Sequence, residues 1–281
     1  MLDLPQRFAQ TDIALVGRPV DSGHNVAVSW SYAVLLFGAG VLGGLTGSIA
    51  GLASVATYPA LLLAGLPPVT ANVTNTVALV FSSVGSVWGS RPELAGQREL
   101  LTRILPFAAV GGVTGAALLL STPAEGFEKL VPVLLAFAAV TILIPVRPTQ
   151  SARVATHHRH VATMVLQGAA VFAVCIYGGY FGAAAGVLLL ALFLRIGGAK
   201  LPRANASKNV VLGAANGIAA LIFAVVAPVQ WPAVAALGVG CLLGGRLGPL
   251  VVRHGPDKPI RIAIGVAGLA LAVKLGVDAY R

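Results

Sequence analysis

"ANVTNTVALVFSSVG" (residues 71–85) places two asparagines, two threonines and two serines inside a stretch of membrane-helix length, with no charge among them. A second stretch, "ANASKNVVLGAANGI" (204–218), aligns with it without a gap. Each copy follows a glycine-rich segment of the form GGxxGxxxG: "GGLTGSIAG" (43–51) precedes the first and "GGYFGAAAG" (178–186) precedes the second. The offsets, 135 and 133 residues, are close to half of the 281-residue chain. Small-xxx-small spacing alone is common in packed membrane helices. Two motifs recurring in the same order argue for an internal duplication.

The surrounding composition sets the solvent. Hydrophobic residues make up 57% of the chain and charged residues 10%, against about 25% charged in a soluble domain. The mean hydropathy is +0.88. Apolar runs of membrane length recur after about residue 26, continuous rather than alternating, so the expectation is an all-α polytopic membrane protein and not a barrel. Ten helical pieces are predicted, near 30–47, 51–66, 72–90, 103–121, 128–147, 161–178, 182–196, 208–227, 231–251 and 259–278. Residues 1–28 read as a polar tail without the basic and apolar regions of a cleavable signal. Residues 29–148 form a first membrane repeat, 149–160 a basic loop and 161–281 a second repeat.

Two regions, 30–66 and 161–196, are each too long for one span. About 36 helical residues would cover roughly 54 Å against a bilayer core of about 30 Å. Glycines interrupt both, at 38–51 and 177–186. Each is predicted to be two helical pieces joined at a glycine break, either re-entrant or crossing, followed by three further transmembrane helices. Basic residues then set the orientation. Arg91, Arg98 and Arg103 follow the third piece, Lys200, Arg203 and Lys208 lie between the seventh and eighth, and Arg246, Arg253 and Lys258 flank the loop after the ninth. Placing these in the cytoplasm starts the first half outside and the second half inside. Inverted repeats with broken helices at matching positions are a transporter pattern.

On a helix, Asn72, Thr76, Leu79, Ser83 and Ser86 form one stripe, and Asn205, Asn209, Leu212 and Asn216 form its counterpart. Such neutral groups serve either as glue between helices or as a substrate path. All nine acidic residues lie in tails, loops or helix ends, whereas a cation site at mid-membrane normally uses a carboxylate. Neutral donors, helix termini and the lysine at 208 favour a small anion; a snorkelling, interfacial Lys208 is the alternative. The candidate substrate-binding residues are Gly47, Ser48, Asn72, Asn75, Thr76, Ser83, Gly182, Asn205, Lys208, Asn209 and Asn216.

The net charge of +10 is accounted for by the loops, without the basic and aromatic cluster of a nucleic-acid protein. "HHRH" (157–160) reads as a solvated basic loop rather than a metal site. Cys175 and Cys241 sit singly in apolar segments, and no nucleophile elbow, P-loop or zinc motif is present. No enzyme activity, metal or cofactor is expected.

The glycine breaks and polar stripes resemble the TauE/SafE family, also called the toluene sulfonate uptake permeases. The similarity is carried by "GVLGGLTGSIAGLASVATYPALLLAGLPPVTANVTNTVALV" (40–80), "GGYFGAAAGVLLLAL" (178–192), "NASKN" (205–209) and "PVQWPAVAALGVGCLLGGRLG" (228–248). It implies a multi-pass inner (plasma) membrane transporter for sulfite, sulfonates or related small organic anions. It also implies that Gly47, Gly51, Gly182 and Gly186 occupy the breaks. The duplicated polar motif then holds Asn72, Asn75, Thr76, Asn205, Lys208 and Asn209. An anion-selective channel and a non-transporting membrane scaffold are the competing readings. The expected partners are an anionic substrate and the lipid bilayer, with no nucleic acid; a homo-oligomer is left open.

Overall fold

The computed structural model describes residues 30–143, 160–196 and 200–254, with isolated positions between 262 and 277. The expected N-terminal tail, most of the 149–160 loop with its histidines, and the tenth helical piece lie outside the described residues. Among those described, all regular structure is helical. The helices are α1 Trp30–Ala50, α2 Ala53–Leu63, α3 Pro68–Gly89, α4 Arg91–Leu94, α5 Arg98–Ser121, α6 Ala124–Leu143, α7 His160–Tyr180, α8 Ala185–Ile196, α9 Leu201–Val226 and α10 Trp231–His254. Four of these regions, Trp30–Ala50, Arg98–Ser121, Leu201–Val226 and Trp231–Arg253, are long and apolar enough to cross a membrane. The 22-residue α3 matches them in length, but its polar stripe dilutes its hydropathy.

The first break is much narrower than predicted. Gly38, Gly40, Gly43, Gly44 and Gly47 all lie within the uninterrupted α1, and only Gly51 and Leu52 leave it. Gly51 adopts φ +79°, a left-handed conformation costing other residues about 1–2 kcal/mol. The chain then reverses. A Cβ on Gly47 would overlap Ala53, and one on Gly43, a turn earlier, would overlap Thr57. That antiparallel register makes α1 and α2 a hairpin. At 11 residues, α2 covers roughly 17 Å, about half of a bilayer core. The second break occupies residues 181–184, with Gly182 at φ +76° and Ala184 at φ +64°. The following α8 has 12 residues and is similarly short.

The glycines inside the helices serve close packing. A Cβ on Gly40 or Gly44 of α1 would strike the backbone of α10, and one on Gly240 or Gly244 of α10 would strike the backbone of α1. In the second region, Gly111 and Gly115 of α5 meet α7 in the same way, and Gly179 of α7 meets Gly112. The most extensively packed helix pairs are α1 with α10, α3 with α10 and α5 with α7. Each joins a helix of one sequence half to a helix of the other. The two breaks also meet: the Gly51 backbone lies against that of Gly186. Phe181, in the second break, is held by first-half rings, with centroid separations of 5.4 Å to Tyr58 and 6.0 Å to Phe127.

The basic segments of the two regions meet at one end of the bundle. Arg203 donates to Ala95 O at 3.1 Å, Gln97 Nε2 donates to Arg203 O at 3.1 Å, and Ser207 donates to Gln97 Oε1 at 2.6 Å. Arg253 pairs with Glu93 through two nitrogens and also donates to Gly89 O at 2.8 Å. The hydrogen bonds from Arg253 hold the Glu93 carboxyl below its ordinary value near 4.5.

Two outcomes follow. Gly65 has φ +87° but nothing near its missing Cβ, whereas Gly51 has both a positive φ and Gly186 against it. Gly65→Ala is expected to cost about 1 kcal/mol. Gly51→Ala is expected to cost a further 1–3 kcal/mol or so, from overpacking; thermal unfolding in detergent compares them. The pH dependence has a fixed sign. The folded-state value of Glu93 lies below the unfolded one, so its stabilisation is complete above the ordinary carboxylate range. It is lost as the pH falls through the lowered folded value. Acid melts of Glu93→Gln should lack that part of the loss.

Candidate anion site at the crossing of the helix breaks

The site begins with a carbonyl that its helix cannot satisfy. In a continuing α1, the Leu52 N–H would reach Ser48 O; after the turn at Gly51 it points to Thr46 O at 3.4 Å instead. Side chains of α9 replace it. Asn205 Nδ2 donates to Ser48 O at 2.9 Å and Lys208 Nζ donates at 3.0 Å, while Asn209 Nδ2 stands at 3.5 Å. Lys208 Nζ also donates to Gly47 O at 2.9 Å. The reverse exchange occurs at the other break: Asn72 Nδ2 of α3 donates to Tyr180 O, the last residue of α7, at 2.9 Å. Each duplicated stripe thus caps a helix end in the opposite half.

Lys208 lies two turns inside α9, because that helix starts at Leu201 and not, as predicted, at residue 208. Proline near the first turn explains the early start of both α9 and α3, since a missing N–H costs nothing there. The position is fully buried, at 0% exposure, so Lys208 does not snorkel. Among the described residues, no carboxylate pairs with it.

The stripes divide by task. Asn72 and Asn205 cap the breaks. Asn75, the position matching Lys208, donates to Ser54 Oγ at 3.1 Å and accepts from Thr57 Oγ1 at 2.5 Å. Thr76 donates back to Asn72 O at 3.0 Å. Ser83 and Asn209 with Asn216 instead reach a shared cavity, together with Gly47 and Gly182. Ser48 does not line it, and neither do Asn72, Asn75, Thr76, Asn205 or Lys208. Seven lining residues were not among the candidates: Gly51, Ala53, Ser54, Leu79, Ser82, Ser86 and Leu212. Ser86 already stood on the first stripe. Ser54 carried the signal of a hydroxyl in the first turn of a helix that starts at a break.

This cavity holds about 30 Å³, space for one or two water-sized groups. Its walls are neutral, and Lys208 reaches the carbonyl of one wall residue, Gly47, without lining the cavity itself. Asn216 Oδ1 is buried there without a partner, which marks a group able to meet a ligand or water. The Ser83 and Ser86 hydroxyls donate to Leu79 O at 3.2 Å and Ser82 O at 2.7 Å; rotation of either hydroxyl redirects its proton. Among the described residues, no three His, Cys, Asp or Glu side chains come together. Ser83 also borders a wider, mostly apolar groove of about 410 Å³ between α3 and α9, which extends past Trp88 to Arg91. Arg246 stacks over the Trp88 ring at 4.2 Å.

Asparagines of the two kinds should respond differently to truncation. Asn75→Ala leaves the Ser54 hydroxyl without its donor, while Thr57 keeps its bond to Ala53 O, and should cost about 1–3 kcal/mol of stability. Asn216→Ala removes an unpaired amide and should leave the melt within about 0.5 kcal/mol of wild type. Paired thermal denaturation measurements test the contrast.

Comparison with known proteins agrees with this architecture. A family model described as "Sulfite exporter TauE/SafE" matches residues 33–275. A probable membrane transporter protein from a Sinorhizobium species is 27% identical over 244 residues, covering 86% of this chain and 92% of its own. The probable membrane transporter protein YfcA of Escherichia coli is 26% identical, with coverages of 88% and 90%. One from Haemophilus influenzae is 24% identical, with coverages of 87% and 94%. No solved structure matches significantly. The match over residues 33–275 shows that this multi-pass helical chain belongs to the TauE/SafE family of membrane transporters.

Proposed function

We propose that the chain carries a small anion, such as sulfite, a sulfonate or a related organic anion, across the plasma membrane by alternating access of two inverted halves. The observation that carries this reading is the cavity where the breaks cross. It is lined from both halves, by Ser54, Ser82, Ser83 and Ser86 on one side and Asn209 and Asn216 on the other. Hydroxyl and amide donors can surround an oxyanion, and the buried Lys208 supplies positive charge behind them. A carboxylate among the lining residues would oppose an anion, and there is none.

The inverted arrangement is supported by the shared basic end. The C-terminal end of α3 and the N-terminal end of its sequence counterpart α9 both meet the Ser90–Gln97 segment, so the two run in opposite directions. With that end cytoplasmic, as the basic residues require, the groove past Trp88 and Arg91 is the inner approach. At about 30 Å³ the cavity is far below the usual 300 Å³ or more of a ligand pocket, so the site must widen to take an organic anion. An inside-negative potential favours anion exit by roughly 2.3 kcal/mol per charge per 100 mV, sufficient for efflux without a coupling ion.

Flux into proteoliposomes, screened with sulfite, thiosulfate, sulfonates and small carboxylates, tests the reading. Saturable flux with counter-transport is expected for at least one anion. Loss of an amide donor in Asn209→Ala or Asn216→Ala should reduce it about tenfold or more, the value of one hydrogen bond to a charged group. Large unitary currents would indicate a channel. Anion flux unaltered in both variants would remove the cavity from the path.

A further inference from the structure

Lys208 is fully buried with no carboxylate beside it among the described residues; an ammonium there costs several kcal/mol unless the lost hydration is replaced. Its replacement is the end of a helix. Gly47 O and Ser48 O lie 2.9 and 3.0 Å from Nζ, at the terminus where α1 concentrates negative partial charge. In carriers with discontinuous helices, such carbonyl ends are where a coupling Na⁺ is coordinated. Here the neighbouring amides add donors and not ligands. Asn205 turns Nδ2 to Ser48 O, leaving its buried Oδ1 without a partner, and Asn209 also aims Nδ2 at Ser48 O. The carbonyls are thus already taken by a cation that is part of the chain.

We propose that the Lys208 ammonium is a resident cation at the α1 break, occupying the coordination position a carrier would otherwise give to Na⁺. It positions the helix end and charges the rear wall of the cavity, so that no co-bound Na⁺ is needed. The internal duplication supports the specificity of this role. Asn75, the first-half counterpart, is engaged with Ser54 and Thr57, and the α7 end receives the single amide of Asn72. Among the described residues, the cation is present at one break only. Its consequence for flux rests on the transport reading above; its consequence for stability does not.

Thermal unfolding of purified full-length protein in detergent, in NaCl, methylammonium chloride or choline chloride, separates the two. Wild type should melt at the same temperature in all three salts. Lys208→Ala should melt about 5 °C lower in choline, the size expected for losing charged hydrogen bonds in a chain of this length. It should regain at least half of that loss in Na⁺ or methylammonium. Lys208→Met, which refills the volume with apolar atoms, should show no such recovery. Equal melts of Lys208→Ala in all three salts would overturn the proposal. Should that variant fail to fold, wild-type anion flux decides: equal rates in Na⁺ and choline are expected, and a Na⁺ requirement overturns it. Absence of any anion flux would count against the transport reading alone, because the melts stand independently.

Discussion

The Ser48 carbonyl is the point on which this structure turns. A helix that ends inside a membrane leaves carbonyls that water cannot reach, each costing several kcal/mol if unpaired. Ending α1 at Ala50 is therefore possible only because α9 delivers Asn205 and Lys208 to Ser48. The same demand at Tyr180 is met by Asn72. Asn72, Asn205 and Lys208 are thus required by the breaks before any ligand is considered. Their crosswise delivery, first half to second and second to first, joins the halves.

That delivery needs the helices close together. The glycines of α1 and α10, and those of α5 and α7, remove the side chains that would hold the backbones apart. In lipid the association gains little from hydrophobic burial, and close van der Waals packing takes its place. The hairpin of α1 and α2 then reaches the crossing, where Gly51 and Gly186 touch backbone to backbone. Close packing, helix breaks and polar stripes are one requirement expressed at three levels. A bundle with bulky side chains along α1 would leave Ser48 beyond the reach of Asn205.

Much of this was legible in the sequence. Composition and run length identify a helical membrane protein, and the ordered recurrence of GGxxGxxxG and the asparagine stretch marks both crossing points. The division of labour was not legible. Gly40, Gly44 and Gly51 look alike in sequence, yet the first two pack against α10 and only the third turns the chain. Whether a glycine meets a neighbouring helix or a positive φ is decided by tertiary contact. Asn72 and Asn216 likewise occupy equivalent faces, and only the location of a severed carbonyl makes one a cap and leaves the other at the cavity. Lys208 was misplaced to a helix start because the run "LPRANAS" (201–207) reads as a polar linker. Pro202 near the first turn lets α9 begin there.

The same ties define where the bundle can open. Separating α9 from α1 exposes Ser48 O and an unpaired ammonium, and separating α3 from α7 exposes Tyr180 O. Between α3 and α9 themselves, among the described residues, no side-chain hydrogen bond crosses; the seam is held by contacts such as Ser83 against Gly213. Dispersion contacts at a small-residue seam re-form after a slide, whereas a stripped carbonyl in low dielectric does not recover its loss. The groove of about 410 Å³ already lies along this seam and meets the smaller cavity at Ser83. In the transport reading proposed above, this seam is where access changes.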